Sequence, residues 1–298
     1  MSRRSTGIAI AFVTACISGV SIWVNSHAVA RFDDATVYTT AKNAVAGLLL
    51  LALALPLLRR AGNGAAAVPS RLRPALLAVA VVGGSVPFVL FFEGLARAEA
   101  TQAAFIQKTL VVWVALLAIP LRRERIGIAH VAAIVFVIAG QAVLAGSAGT
   151  VVFGTGEAMI LAATLLWAVE VMLAKRLLDD VAVRVLAVAR MVLGTVLLLA
   201  WLVVSGRADD FVRLPASQWS WALLTGVLLG AYVATWYAAL ARAQCVDVTA
   251  VLVFGAVVTA FLAQAADGVA FDALGVVLVT VGVALAAVAG SRPSLRTA

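Results

Sequence analysis

The chain has 298 residues, 64% of them hydrophobic and 12% charged, with a mean hydropathy of +1.10 and a formal net charge of +8. A soluble domain carries about 45–50% apolar and about 25% charged residues, so an ordinary soluble enzyme and a disordered chain are both excluded. The basic excess, 22 Lys and Arg against 14 Asp and Glu, then points to loops facing a cytoplasm and an anionic leaflet rather than to nucleic acid.

A helix needs about 20 mostly apolar residues to cross the hydrocarbon of a bilayer. In chain order, ten stretches qualify: 7–26, 36–58, 74–96, 100–120, 126–146, 154–174, 183–204, 218–240, 246–265 and 271–290, here called spans 1 to 10. No small-x-small cleavage site with a polar continuation follows span 1, so it is expected to be a span rather than a leader. The longest connection, 59–73, carries Gly62, Gly64 and Pro69 with Arg59, Arg60, Arg71 and Arg73. A β-barrel would alternate polar and apolar residues, whereas Leu48 to Leu55 is one continuous apolar run. Cys16 lies in an apolar run and Cys245 at a loop edge, which makes neither a disulfide framework nor a metal site. No cofactor is expected.

Basic residues set the orientation. With a cytoplasmic N-terminus, 15 loop cations fall on the cytoplasmic side, and four, Arg31, Arg97, Arg207 and Arg213, on the other. Both termini are therefore expected in the cytoplasm. Lys42, Lys108 and Arg190 remain within spans.

Ten spans invite a search for two copies of five. A shift of 148 residues lays span 1 on span 6 and span 2 on span 7; Ala15 meets Ala163 and Lys42 meets Arg190. A shift of 145 lays Leu95-Ala96-Arg97-Ala98 on Leu240-Ala241-Arg242-Ala243, the ends of spans 3 and 8. Five is odd, so the halves have opposite topology, an arrangement common in secondary transporters, whose site lies near the midplane between the repeats. The expected fold is all-α and membrane-integral, with repeats over 7–146 and 154–290.

At these residues the chain resembles the drug/metabolite transporter superfamily, in its ten-helix branch with two EamA-type repeats. The stretch from Gly154 to Trp167 and Ala168 is similar to the family's opening of helix six, "aallWa". Lys42 and Arg190 match the basic residue of each second helix. Ala115 to Gly127, followed by Gly140, is similar to the end of helix four and to helix five. The family often has a proline about where Leu110 stands and another near Gly255, and an acid after helix nine; this chain lacks both prolines and offers Asp267. The resemblance extends to bacterial amino-acid and metabolite exporters, including the aromatic amino-acid group. It implies export of small metabolites without an ATPase domain.

Ionisable side chains within spans are costly and are candidates for function. Lys108, beside Gln107 on span 4, can attract a carboxylate or snorkel outward along its stem. Lys42 and Arg190 are candidate structural or gating charges, either pinning helix ends through backbone carbonyls or pairing with Glu93 or Glu170. Glu170, one turn beyond Trp167, can bind an ammonium group, carry a proton or form a structural ion pair. Glu157 reads as a helix N-terminal acid. Ser18, Ser21 and Asn25 form a polar stripe on span 1 that must face a helix or water. Phe88 and Phe92 on span 3, and Tyr232, Trp236 and Tyr237 on span 8, can line a cavity between the repeats or simply pack.

The reading that follows is an alternating-access exporter of amino acids or related metabolites in a bacterial inner membrane, working as a monomer. Phosphorylated sugars or cationic drugs are the alternative cargo. A membrane-embedded enzyme lacks support: no H-E-x-x-H or G-x-S-x-G occurs, and His27 and His130 lie on different spans. The excess of Arg over Lys and the abundant Ala are those of a GC-rich bacterial genome.

Overall fold

The structure is a computed structural model that describes residues 2–60, 68–98, 100–122, 124, 126–146 and 153–291. Among them there are helices and no strands. The α-helices are α1 (Arg3–Val29), α2 (Ala35–Arg60), α3 (Arg73–Gly84), α4 (Val86–Leu95), α5 (Ala100–Lys108), α6 (Leu110–Arg122), α7 (Ile128–Leu144), α8 (Thr155–Leu177), α9 (Val183–Val204), α10 (Ala208–Val212), α11 (Ala216–Leu240), α12 (Cys245–Leu252), α13 (Gly255–Asp267) and α14 (Ala273–Ser291). Among the described residues nine spans are long and apolar enough to cross a membrane; span 5 is helical over 17 residues, Ile128–Leu144, and completes five per half. Asp34 starts α2 by accepting from the N–H groups of Thr36 (2.7 Å) and Val37 (2.8 Å). Glu157, as expected of an N-terminal acid, accepts from Gly154 N at 3.0 Å.

Spans 3, 4 and 9 are each interrupted. In span 3, Pro87 has no N–H, so it offers nothing to the carbonyl four residues back, that of Gly83. Span 4 breaks at Thr109 without a proline: the Thr109 hydroxyl donates to the Ile106 carbonyl at 2.6 Å, the group that Leu110 N–H would take in a continuous helix. Span 9 breaks at Val253–Phe254 through short turns, Val253 N to Ala250 O and Phe254 N to Val251 O. Gly255 there lies so close to α1 that a Cβ would sit 2.8 Å from Ala15 O. The two breaks fall where the family resemblance led us to expect prolines.

The packing repeats under exchange of the halves. Span 1 packs on span 8 as span 6 packs on span 3, span 2 on span 8 as span 7 on span 3, and span 4 on span 6 as span 9 on span 1. Spans 2 and 7 pack on each other, as do spans 5 and 10, so these two pairs straddle the pseudo-two-fold. The halves run in opposite directions: Arg3 at the start of α1 donates to Ala241 O (3.0 Å), and Lys175 at the end of α8 donates to Leu240 O (2.5 Å), both beyond or at the end of α11.

The two ends of the bundle are tied differently. At one end Arg207 meets Glu93 (2.6 Å) and Asp34 (3.3 Å), Arg97 meets Glu93 (2.8 Å), and Trp23 and His27 both reach Asp267. The Glu93 carboxylate holds the Arg207 guanidinium above its ordinary pKa. At the other end Glu124 caps α12 through Cys245 N (2.7 Å) and Val246 N (3.2 Å), Arg122 meets Asp179, and His130 lies 3.1 Å from Asp247.

Candidate functional site

Inside the bundle two buried cations stand two helical turns from opposite ends, Lys42 on α2 and Arg190 on α9, at 6% and 5% exposure. The Lys42 ammonium donates to Asn25 Oδ1 of span 1 at 3.1 Å and lies over two rings, 4.4 Å from the centre of Phe92 and 5.0 Å from that of Tyr38. The Tyr38 hydroxyl also donates to Asn25 Oδ1, and Asn25 Nδ2 returns to Ser21 of its own helix. No carboxylate pairs with Lys42 among the described residues. Glu93, one of its expected partners, is held instead by Arg97, Arg207 and Thr36.

The Arg190 centre has the same plan with an acid added. Arg190 lies 5.7 Å from the ring centre of Tyr237, whose hydroxyl donates to Glu170 Oε1 at 2.5 Å. Arg190 Nη2 donates to the Gly83 carbonyl (3.1 Å), and so does Trp167 Nε1 (3.2 Å). That carbonyl is the one Pro87 leaves without a helical donor, so a proline on span 3 supplies the acceptor that anchors spans 6 and 7. A Cβ on Gly83 would collide with the Glu170 side chain, which leaves glycine as the residue that fits. Arg190 Nε and Nη1 are buried without a hydrogen-bond partner.

The correspondence is set by sequence register. The shift of 148 pairs Lys42 with Arg190, and the shift of 145 pairs Phe92 with Tyr237, so the cation and ring of one centre map onto those of the other. Such cation–ring contacts strengthen when desolvated. Tyr38 was not singled out from the sequence, although it lies one turn before Lys42 on the same face.

The remaining candidates divide. Phe88 meets Trp167 edge-on at 5.7 Å, Phe92 meets Tyr38 at 6.1 Å, and Tyr232 stacks on Trp236 at 6.1 Å. These rings fill space with each other; the two clefts described, of about 380 and 280 Å³, are not lined by them. Lys108 and Gln107 are half-buried on α5, and no hydrogen bond, ion pair or ring contact among the described residues ties them to either centre. Among the described residues no three His, Cys, Asp or Glu side chains gather as metal ligands.

A helical membrane bundle of two inverted five-span repeats, with buried charge at their interface, defines a multi-pass transporter. A model of the EamA-like transporter family matches residues 5–146 and again 154–288, and the chain belongs to that family of drug/metabolite transporters. A solved structure described as "Crystal structure of protein" is similar over 97% of this chain and 100% of that one, with a TM-score of 0.77 at 19% identity, a likeness of fold. The comparison with curated proteins finds no match.

Proposed function

We propose that this protein exports amino acids or related small metabolites across a bacterial inner membrane by alternating access, as a monomer with both termini in the cytoplasm. The observation that carries the reading is the pair of symmetry-related buried cations, Lys42 and Arg190, each against an aromatic ring at the interface of the repeats. The orientation rests on the loop cations, 15 against 4. Asn25 and Phe92 contact Lys42, and Trp167, Glu170 and Tyr237 belong to the Arg190 centre; on this reading Phe88, Tyr232, Trp236, Lys108 and Gln107 meet the substrate elsewhere along its path. An organic carboxylate suits this set better than a cationic drug, because Lys42 has no acid beside it and a drug cation would meet like charge.

The test is uptake into proteoliposomes of radiolabelled neutral, aromatic, acidic and basic amino acids, a sugar phosphate and a quaternary ammonium drug. Saturable amino-acid flux above empty vesicles is expected. Flux of the sugar phosphate or the drug alone would keep the transporter and replace the cargo.

A further inference from the structure

Resting on the transport reading above, the charge balance of the interior and one cleft together narrow the substrate. Five charged side chains are buried among the described residues: Lys42, Glu157, Glu170, Arg190 and Asp247. Glu157 caps the start of α8 at one end of the bundle, and Asp247 sits beside His130 at the other. That leaves Lys42, Arg190 and Glu170 around the two centres, two cations for one acid. A lone charge in so dry a place is costly until an opposite charge joins it. The missing partner is one negative charge.

The cleft of about 380 Å³ lies between spans 2, 7 and 8, beside the pair that straddles the pseudo-two-fold. Its wall includes Leu50, Leu53, Ala187 and Ala234, with exposed Arg184 also lining it. Ala187 is one turn from Arg190, Ala234 is one turn from Tyr237, and Leu50 is two turns, about 12 Å, from Lys42. Arg184, Arg190 and Lys42 thus lie at successive depths from the α9 start, and the wall beside them is apolar. The Arg190 guanidinium itself turns toward Gly83 and Tyr237, beyond the cleft wall, with Nε and Nη1 buried and without a hydrogen-bond partner.

We propose that the substrate is an organic monoanion, a single carboxylate on an apolar or aromatic body, that approaches through this cleft past Arg184 and Arg190 and neutralises Lys42. A zwitterion brings no net charge and leaves the imbalance, so amino acids are the weaker cargo of this transporter and related monoanionic metabolites the stronger; an amine enlarges the imbalance. Lys42 is the residue that binds the carboxylate, and Tyr38 and Asn25 position its ammonium through the shared Asn25 Oδ1.

The experiment compares three probes with one phenyl body: 3-phenylpropionate, phenylalanine and 2-phenylethylamine. Association rate and equilibrium binding to the full-length protein, purified in detergent with its bound lipid, are measured at pH 7.5. Phenylpropionate is expected to bind at least tenfold tighter than phenylalanine, and the amine not at all. Lys42→Gln loses that binding and Lys42→Arg recovers it, while Arg184→Glu and Leu53→Trp, both on the cleft wall, slow association severalfold. Equal or tighter binding of phenylalanine, or full binding by a folded Lys42→Gln protein, overturns the proposal. An undiminished association rate in Leu53→Trp overturns the route, and a phospholipid held in the cleft that phenylpropionate does not displace makes it a lipid crevice and overturns it too. Flux of phenylalanine without binding of phenylpropionate removes this inference and leaves transport standing. Phenylpropionate bound with no solute moved removes transport and leaves the site.

Discussion

The two halves of the molecule solve the same problem, a cation inside a membrane bundle, in different ways. The first half holds Lys42 with a neutral amide and two ring faces; the second holds Arg190 with a freed carbonyl, a ring and the acid Glu170. Matching positions with unequal surroundings give the Arg190 centre an acid of its own, whereas the Lys42 centre has none, and in the proposal above it is Lys42 that takes up a charge from outside. Asymmetry in partners, on a symmetric frame, separates structural charge from binding charge.

Substitutions can break this contrast. Arg190→Met strands the buried Glu170 and should cost about 3 kcal/mol of stability, near the low end for breaking a buried charge pair; denaturant unfolding in detergent measures it, and a wild-type midpoint would show that the acid needs no cation. Gly84→Ala and Gly226→Ala probe the two helix crossings beside the cations. A methyl on Gly84 collides with the Arg190 backbone oxygen, and one on Gly226 lies 2.6 Å from Val45 Cβ and 2.8 Å from Lys42 O. Each should lose about 2 kcal/mol from overpacking, Gly84 the more, by the same unfolding assay. If both are tolerated, the helices are free to separate and the close crossing is not a constraint.

A smaller effect is expected of Tyr237→Phe, which deletes the hydroxyl on Glu170 and should cost about 1.5 kcal/mol, a typical value for a hydrogen bond to a charged group. Its mate Phe92→Tyr should leave the unfolding midpoint in place, since no acid waits there; a matching loss in both would make the centres equivalent. Smallest of all is Lys42→Met, expected within about 1 kcal/mol of wild type because no buried acid loses its partner. A loss as large as that of Arg190→Met would reverse the assignment of roles.

Much of this frame was legible in the residues. Apolar runs gave the spans, the shift of 148 paired Lys42 with Arg190, and the shift of 145 paired the ends of spans 3 and 8. The partners were not legible. Glu93 is held by Arg207, 114 residues away, and Asn25 by Lys42 across two helices, contacts that depend on helix rotation, which periodicity in a uniformly apolar chain does not report. The role of Gly83 was hidden for another reason: its carbonyl matters because Pro87, four residues on, lacks a donor, and neither residue is charged. The breaks in spans 4 and 9 escaped the proline rule because a hydroxyl and short turns do the work of the ring.

Those breaks carry a consequence for motion. A proline fixes an interruption for good, but the Thr109 hydroxyl can release Ile106 O and give it back to Leu110 N–H. Span 4 would then be spliced into one rod over 100–122, about 35 Å long, turning everything before the joint together with everything after it. Gln107 and Lys108 stand directly on that joint. The direction in which this lysine points therefore follows from how the helix is broken at Thr109.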